Sequence, residues 1–198
     1  MPPSCVQGFV RKRSELAQLL VPVLESRGLN IVDCPACALA AGAEFRGGGA
    51  DFARHIYTRE YVEDIVSFTK ERATFVADFW NIAPCLFVAP CEFESFGLPA
   101  PFDRKDVEKF WTSENVALVE QFAAFIREYS GAWTKEALET AMETYIRSNE
   151  WPMGKVMNAT RLALAGAASG LGIADIVFRI GKAECAQRIA YALDRLRP

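Results

Sequence analysis

Apolar residues recur at helical spacing along most of this chain, and glycines mark where the apolar runs end. In the last third of the chain, two of the runs stop at Gly166 and Gly181. Glycine just past an apolar run is a common helix stop, because the left-handed conformation costs glycine little. The spacing predicts three helices there, at about residues 155–165, 173–180 and 183–193.

Earlier runs predict further helices with hydroxyl side chains at their starts. Ser14 is a candidate N-cap for a helix that ends before Gly28, and Thr58 for a long helix over about residues 59–80. Residues 31–50, small and then glycine-rich, predict a short helix followed by a mobile loop. Beyond residue 104, helices are predicted at about 107–111, 112–130 and 134–145.

The stretch 81–103 differs from its neighbours because it is rich in proline and phenylalanine. Proline interrupts helices, so this stretch predicts a junction between two helical subdomains. No stretch alternates between apolar and polar residues for long enough to require a sheet. The pattern predicts an all-α fold.

A polar stripe runs along the first of the three late helices. Lys155, Asn158 and Arg161 recur every three residues and share one face. A cationic, amide-bearing stripe beside a glycine-rich turn suits a polyanion that presents base edges. The same stripe also fits an ordinary solvated helix face, and spacing alone leaves both interpretations open.

The charge balance narrows the possible partners. The chain has 198 residues, half of them hydrophobic, and a formal net charge of −3, which is unsuited to indiscriminate nucleic-acid binding. From Trp151 onward, however, seven basic and three acidic residues give a local charge of +4. No apolar run approaches the ~20 residues needed to cross a bilayer, and no signal pattern begins the chain. We therefore expect no membrane association and a cytoplasmic location.

Cysteine and histidine give little support for a metal or a catalytic centre. The six cysteines include the pair Cys34 and Cys37, but no second pair exists and His55 is the only histidine. Zinc sites usually need four such ligands, so we expect buried reduced thiols, no metal and no catalytic role for His55. Phosphate-binding, dinucleotide-binding and hydrolase motifs are absent as well. The chain is typical of a binding module, with no catalytic residues of its own.

Two blocks of the sequence carry a family resemblance. Residues 154–166 read G-K-V-M-N-A-x-R-L-A-L-A-G, residues 175–184 read D-I-x-x-x-I-G-K-x-E, and residues 188–193 read R-I-x-x-A-L. Residues 70–80 read K-E-R-A-T-F-V-A-D-F-W. Together these phrases resemble the C-terminal anticodon-binding region of bacterial glutamyl-tRNA synthetases, which are class I aminoacyl-tRNA synthetases.

The resemblance implies a two-lobed helical bundle of the helical cage type, with lobes at 1–85 and 86–198. It implies that tRNA, the glutamate isoacceptors, is the partner and that the chain is a monomer. The HIGH-type and KMSK-type signatures of class I active sites are missing. We therefore expect no cofactor here: ATP and Mg would bind a catalytic domain upstream in the same synthetase. Met1 then begins an excised or free-standing piece that cannot aminoacylate tRNA alone.

The resemblance also implies roles for individual residues. Arg72 matches an arginine that reads the third anticodon base, and Arg161 one that reads the first. An arginine fork can stack on or hydrogen-bond unstacked bases. A glycine-containing loop lies against the anticodon in the family, and this chain departs from the family's Thr-Pro or Gly-Pro there. Its matching residues are Gly170, Leu171 and Ile173. Lys155 and Asn158 join the site by extension of the helix face, and the site is expected where the two lobes meet.

Two other functions stay open from the sequence. The aromatic stretch from Phe87 to Phe102 could form an apolar patch of a helical protein–protein interaction module. Cys34 and Cys37 could hold a metal in a small metalloprotein. For the two arginines, the alternative to RNA recognition is an ordinary surface position, which for Arg72 would include an ion pair with Glu71 or Asp78.

Overall fold

The computed structural model describes residues 12–33, 36 and 49–196. The chain divides into two compact units, one up to Val88 and one from Ala89 onward, called here the N-terminal and C-terminal units. No helix in the described ranges is both long enough and apolar enough to cross a membrane.

The N-terminal unit combines helices with a small sheet. Its helices are α1 (Arg13–Glu25), α2 (Arg59–Thr69) and α3 (Asp78–Ile82), and its strands are β1 (Asn30–Val32), β2 (Ala50–Asp51) and β3 (Ile56–Thr58). The strand order is β1-β3-β2, with β1 parallel and β2 antiparallel to β3. Helix α1 packs along α2.

Aromatic rings close the core of this unit. Trp80 and Phe87 are both buried and stack with their ring centroids 5.8 Å apart. The hydroxyl groups of Tyr57 and Tyr61 donate to the carbonyl oxygens of Phe87 and Leu86, which satisfies the buried ends of both rings. The segment after α3 is therefore fixed by both apolar packing and hydrogen bonds.

The C-terminal unit is a helical bundle. Its helices are α4 (Arg104–Phe110), α5 (Ser113–Glu128), α6 (Lys135–Ser148), α7 (Met153–Ala165) and α8 (Ile173–Arg195). Helix α8 packs against α5, α6 and α7, and α4 packs on α7. The buried residues include Val119, Phe122, Met142, Leu162 and Ile176, which lie on the apolar faces of their helices.

The sequence predicted the helix stops correctly. Gly166 follows α7 in the left-handed conformation, with φ 76°. Gly181 interrupts α8 with φ 79° and ψ 167°, so the predicted helices 173–180 and 183–193 are the two halves of α8. Thr58 caps α2 as predicted, and Thr112 and Thr134 cap α5 and α6 in the same way. The all-α prediction is confirmed, with β1–β3 as a small addition.

Two predicted elements were wrong. Ser14 does not cap α1, since the helix already begins at Arg13 and its N-cap residue, Lys12, makes no side-chain cap bond. The predicted long helix 59–80 ends at Thr69, because the Asp78 carboxylate accepts hydrogen bonds from the backbone N–H groups of Thr74 and Phe75. Such local bonds offer the backbone an alternative to the helix.

The strands escaped the sequence prediction because they are only two or three residues long. Most of the short helix and loop predicted for residues 31–50, together with the pair Cys34 and Cys37, lies outside the described residues. Of the cysteines within them, Cys85 and Cys185 are buried as expected, whereas Cys91 is exposed. No cluster of three metal-ligating side chains occurs among the described residues.

The aromatic stretch that could have formed an interaction patch is largely packed away. Phe87 is fully buried in the N-terminal unit, and Phe93 is 6% exposed in the C-terminal unit. Phe102 stacks on Tyr191 with the ring centroids 6.1 Å apart. These rings are used for packing, so they do not favour a protein–protein interaction module.

Candidate nucleic-acid interface

The polar stripe on α7 has two different parts. Lys155 is exposed, and its Nζ lies 3.5 Å from Oε2 of the exposed Glu114. Exposed ion pairs of this kind contribute little, so the ammonium group stays available to an incoming phosphate. Asn158 and Arg161 are half-buried instead, and they contact each other through a 2.8 Å hydrogen bond from Arg161 Nη1 to Asn158 Oδ1.

Arg161 reaches from α7 into the loop 166–172 that precedes α8. Its Nε donates to the carbonyl oxygen of Leu171 at 2.8 Å, and its Nη1 to that of Ala168 at 2.7 Å. Burial lowers the pKa of the guanidinium, which nevertheless keeps its proton at physiological pH. Its Nη2 has no hydrogen-bond partner among the described residues. Arg161 therefore organises the loop and has one donor group left for a ligand.

The loop is also held from its other side. The Asp106 carboxylate of α4 accepts a hydrogen bond from the backbone N–H of Ala168 at 2.9 Å. The N–H of Phe102 donates to the carbonyl oxygen of Gly166 at 2.8 Å. With these contacts the loop base is fixed, while Ser169 and Gly170 stand exposed at its tip.

Where the loop enters α8, the backbone of Gly172 lies close to the side chain of Asp175. A Cβ at Gly172 would lie 2.8 Å from Oδ2 of Asp175, so glycine suits this position. Asp175 in turn pairs with Lys135 Nζ at 3.1 Å and with Arg179 Nη1 at 3.2 Å. The first turn of α8 is thereby tied to α6 by an ion-pair network that is mostly buried.

The three predicted loop residues divide into two kinds. Leu171 and Ile173 are each 4% exposed, so their side chains pack inside the unit and only their backbone can reach a ligand. Gly170 is exposed with φ 119°, a conformation that favours glycine. Chemically, this end of the C-terminal unit offers an oriented amide, a guanidinium edge and exposed backbone groups.

Arg72 belongs to the N-terminal unit and has a different setting. It is exposed at the end of the short 3-10 helix Lys70–Arg72. Among the described residues its guanidinium has no hydrogen-bond or ion-pair partner, so the alternative of an ion pair with Glu71 or Asp78 is not formed. All five N–H donors are free for a ligand.

Three residues after Arg72, Phe75 presents its ring to solvent. It is 39% exposed, more than any other large hydrophobic residue within the described ranges. The chain between them can span at most about 11 Å. The two groups thus lie on one exposed turn, a combination suited to an unstacked base.

Sequence reasoning missed one contributor in each unit. Phe75 was assigned to the apolar face of a long helix, and only the capped turn at Asp78 exposes it. Asp106 resembles any acidic residue in a first helical turn, and its partner Ala168 is 62 residues away. No local pattern could indicate a contact of that separation.

Comparison with known proteins gives a family match. The model of a family described as the anticodon binding domain matches residues 15–193. A glutamate–tRNA ligase of Parabacteroides distasonis is 28% identical over 187 residues, which are 94% of this chain and 30% of that protein. One of Flavobacterium johnsoniae is 34% identical over 137 residues, or 69% of this chain and 25% of that protein.

A solved structure shares the fold. A glutamate tRNA ligase from Elizabethkingia meningosepticum, solved in complex with its amino acid, covers 94% of this chain with a TM-score of 0.62 and 24% identity. This chain covers 31% of that structure. It likewise spans about three tenths of the length of the first curated relatives that it matches.

Proposed function

Because the chain belongs to the anticodon-binding domain family, we propose that it reads the anticodon of glutamate tRNA as the recognition module of a glutamate–tRNA ligase. Relatives of that name align with 94% of the chain, which supports the choice of glutamate. Attachment of glutamate, with ATP and Mg, would belong to a catalytic domain of the same enzyme.

The observation that carries the proposal is the fixed donor group on α7. Arg161 is held by two loop carbonyls and by Asn158, so its remaining donor edge is preorganised. Donors held in place before binding lose little conformational entropy when a base arrives. Unpaired anticodon bases expose their hydrogen-bonding edges, and single-stranded loops are the usual targets of sequence-specific RNA recognition.

Arg72 supplies a second reading group in the N-terminal unit. Its free guanidinium can donate to one base edge through two parallel N–H groups, and the ring of Phe75 can stack on a base. Neither group needs to break an existing contact first. We assign base recognition to Arg72 and stacking to Phe75.

The charge distribution predicts how binding responds to salt. The whole chain carries −3, and only its last third is basic. A module that neutralises few phosphates shows a shallow dependence of affinity on salt concentration. We therefore expect specificity to come mainly from base contacts.

The test compares binding of the full chain to glutamate tRNA and to the same tRNA with an exchanged third anticodon base. Arg72→Gln is expected to reduce the difference between the two tRNAs by about 1–3 kcal/mol, the discrimination of one good base contact. Arg72→Lys keeps the charge but loses the planar fork, so it should discriminate as poorly as Arg72→Gln.

Arg127→Gln serves as the matched control, because Arg127 is an exposed arginine whose ion pair with Glu128 is solvated. It should leave discrimination unchanged. If the unmodified chain binds both tRNAs equally, or if Arg72→Gln changes nothing, the proposed function is wrong.

A further inference from the structure

One peptide group of the loop is held from two directions. The carbonyl oxygen of Ala168 accepts a hydrogen bond from Arg161 at 2.7 Å, and its N–H donates to Asp106 at 2.9 Å. Both partners are charged, and hydrogen bonds to charged groups are the stronger ones. The position of Ala168, and with it the start of the exposed tip at Ser169 and Gly170, is set by this pair of contacts.

The carboxylate of Asp106 is aimed by its own helix. Asp103 caps α4, and its side chain accepts from the N–H groups of Lys105 and Asp106. Helix α4 packs on α7, the helix that carries Arg161. The two charged groups therefore reach the loop from neighbouring, packed helices.

We propose that Asp106 is a positioning residue for anticodon recognition: it holds the loop 166–172 in the conformation that binds RNA. This inference rests on the proposed function. Asp106 does not touch the RNA in this scheme. It acts through the N–H of Ala168, while Arg161 fixes the other side of the same residue.

The positioning role and simple electrostatics predict opposite changes in RNA affinity when the carboxylate of Asp106 is removed. An acidic group beside an RNA-binding loop repels phosphate, so its removal should strengthen binding if charge were its only effect. If Asp106 positions the loop, then removing its hydrogen-bond acceptor should weaken binding. Asparagine separates the two effects, because it keeps an acceptor oxygen and removes the charge.

The experiment measures binding of glutamate tRNA to the full chain and to two variants. Asp106→Ala is expected to raise Kd about tenfold, as for the loss of one charge-assisted hydrogen bond that orders the loop. Asp106→Asn is expected to bind as tightly as the unmodified chain or a few-fold more tightly. Amide hydrogen exchange at Ala168 should accelerate in Asp106→Ala and stay protected in Asp106→Asn.

Glu108→Ala is the matched control. Glu108 lies on the same helix, is exposed, and pairs only with Arg104 among the described residues. This variant removes the same charge without touching the loop, so its Kd should fall slightly or stay constant. A urea titration of each variant checks that the fold is kept.

Several results would overturn the positioning role. Tighter or unchanged binding by Asp106→Ala would do so, and so would a loss in Asp106→Asn as large as that in Asp106→Ala. If the Ala variant does not fold, a loss of binding or of Ala168 protection in Asp106→Asn still overturns the role. An unmodified chain that fails to distinguish glutamate tRNA overturns this inference together with the proposed function, whereas a chain that does distinguish it but keeps its affinity in Asp106→Ala overturns this inference alone.

Discussion

Asn158 Oδ1 lies 2.8 Å from Nη1 of Arg161, and this contact decides which way the Asn158 amide faces. A guanidinium group has donors only, so the amide must turn its oxygen toward it. The NH₂ group of Asn158 then points away from Arg161, and it has no hydrogen-bond partner among the described residues. Asn158 therefore offers a ligand the two donors of its NH₂ group, while its oxygen faces Arg161.

The substitution Asn158→Asp tests this orientation. The carboxylate would keep the contact with Arg161 but would replace the two donors by a negative charge. We expect a loss of tRNA affinity of about tenfold or more, with the free energy of unfolding unchanged or slightly raised. Gln121→Glu adds the same charge at an exposed position of α5 and should alter affinity much less. Equal effects of the two substitutions would contradict the assigned orientation.

Arg161→Lys tests how far one side chain organises the loop. Lysine keeps the charge, but a single ammonium group cannot reproduce the bonds to the carbonyl oxygens of Ala168 and Leu171 in their present geometry. We expect the free energy of unfolding to fall by about 1–3 kcal/mol, measured by urea titration, and tRNA binding to weaken. Arg127→Lys, at an exposed site, should change stability by less than about 0.5 kcal/mol. A stability loss without any loss of tRNA binding would limit Arg161 to a folding role.

Phe75 provides a test of base stacking that is separate from charge. Phe75→Leu keeps an apolar side chain but removes the ring, and is expected to weaken tRNA binding by about 1–3 kcal/mol. Phe75→Tyr keeps the ring and should bind normally. Because neither variant changes a charge, the slope of affinity against salt concentration should stay constant in both. Normal binding by Phe75→Leu would exclude the stacking role.

Alanine substitutions at Gly166 and Gly97 measure how much the close packing around Gly166 affects the free energy of unfolding, because both glycines are left-handed but only Gly166 is crowded. Gly166 has φ 76°, and a Cβ there would lie 2.9 Å from Cβ of Pro101, whereas Gly97 has φ 67° and open space around it. Gly97→Ala should cost about 1–2 kcal/mol for the left-handed conformation alone. Gly166→Ala should cost a further ~1–3 kcal/mol for the overlap. Equal changes in the free energy of unfolding would show that the loop accommodates the added methyl group.

The buried thiol of Cys185 predicts a pH dependence of stability. Burial raises its pKa from 9.0 to about 12, so the folded chain keeps the proton in a range where the unfolded chain releases it. Stability is then unaffected below about pH 9 and falls between about pH 9 and 12, by at most about 1.4 kcal/mol per pH unit. Cys185→Ala should remove this part of the slope. The measurement is the difference in unfolding free energy between the two proteins, under reducing conditions, at several pH values.

The helical framework was accessible from the sequence because its signals are local. Gly166, Gly181 and Thr58 act through their own backbone or that of a residue three positions away, and each was correctly placed. The break after Thr69 was missed because the apolar spacing continues through it. The decisive bonds come from Asp78, whose role as a turn cap competes with an equally plausible helical surface position.

The candidate site was only partly accessible for a related reason. The stripe on α7 follows from helical spacing, and Arg72 from a phrase in the sequence. What Arg161 contacts depends on where the loop turns back, and Asp106 enters through packing of α4 on α7. Such contacts between distant residues carry no periodic signature, so a structure is needed to see that the loop is held from both sides.

The interruption of α8 at Gly181 has a consequence for helical phase. Before it, Ile173, Ile176 and Ile180 are buried, and after it, Cys185 and Ile189 are buried. In an unbroken helix, at about 100° per residue, Cys185 and Ile189 would together point roughly 165° away from the mean direction of the three isoleucines. The break at Gly181 resets the rotation, so both halves bury their stripes although the sequence places them out of register. The two halves of α8 are therefore aimed separately, and a helix made continuous through residue 181 would turn Cys185 and Ile189 away from the side on which the three isoleucines lie.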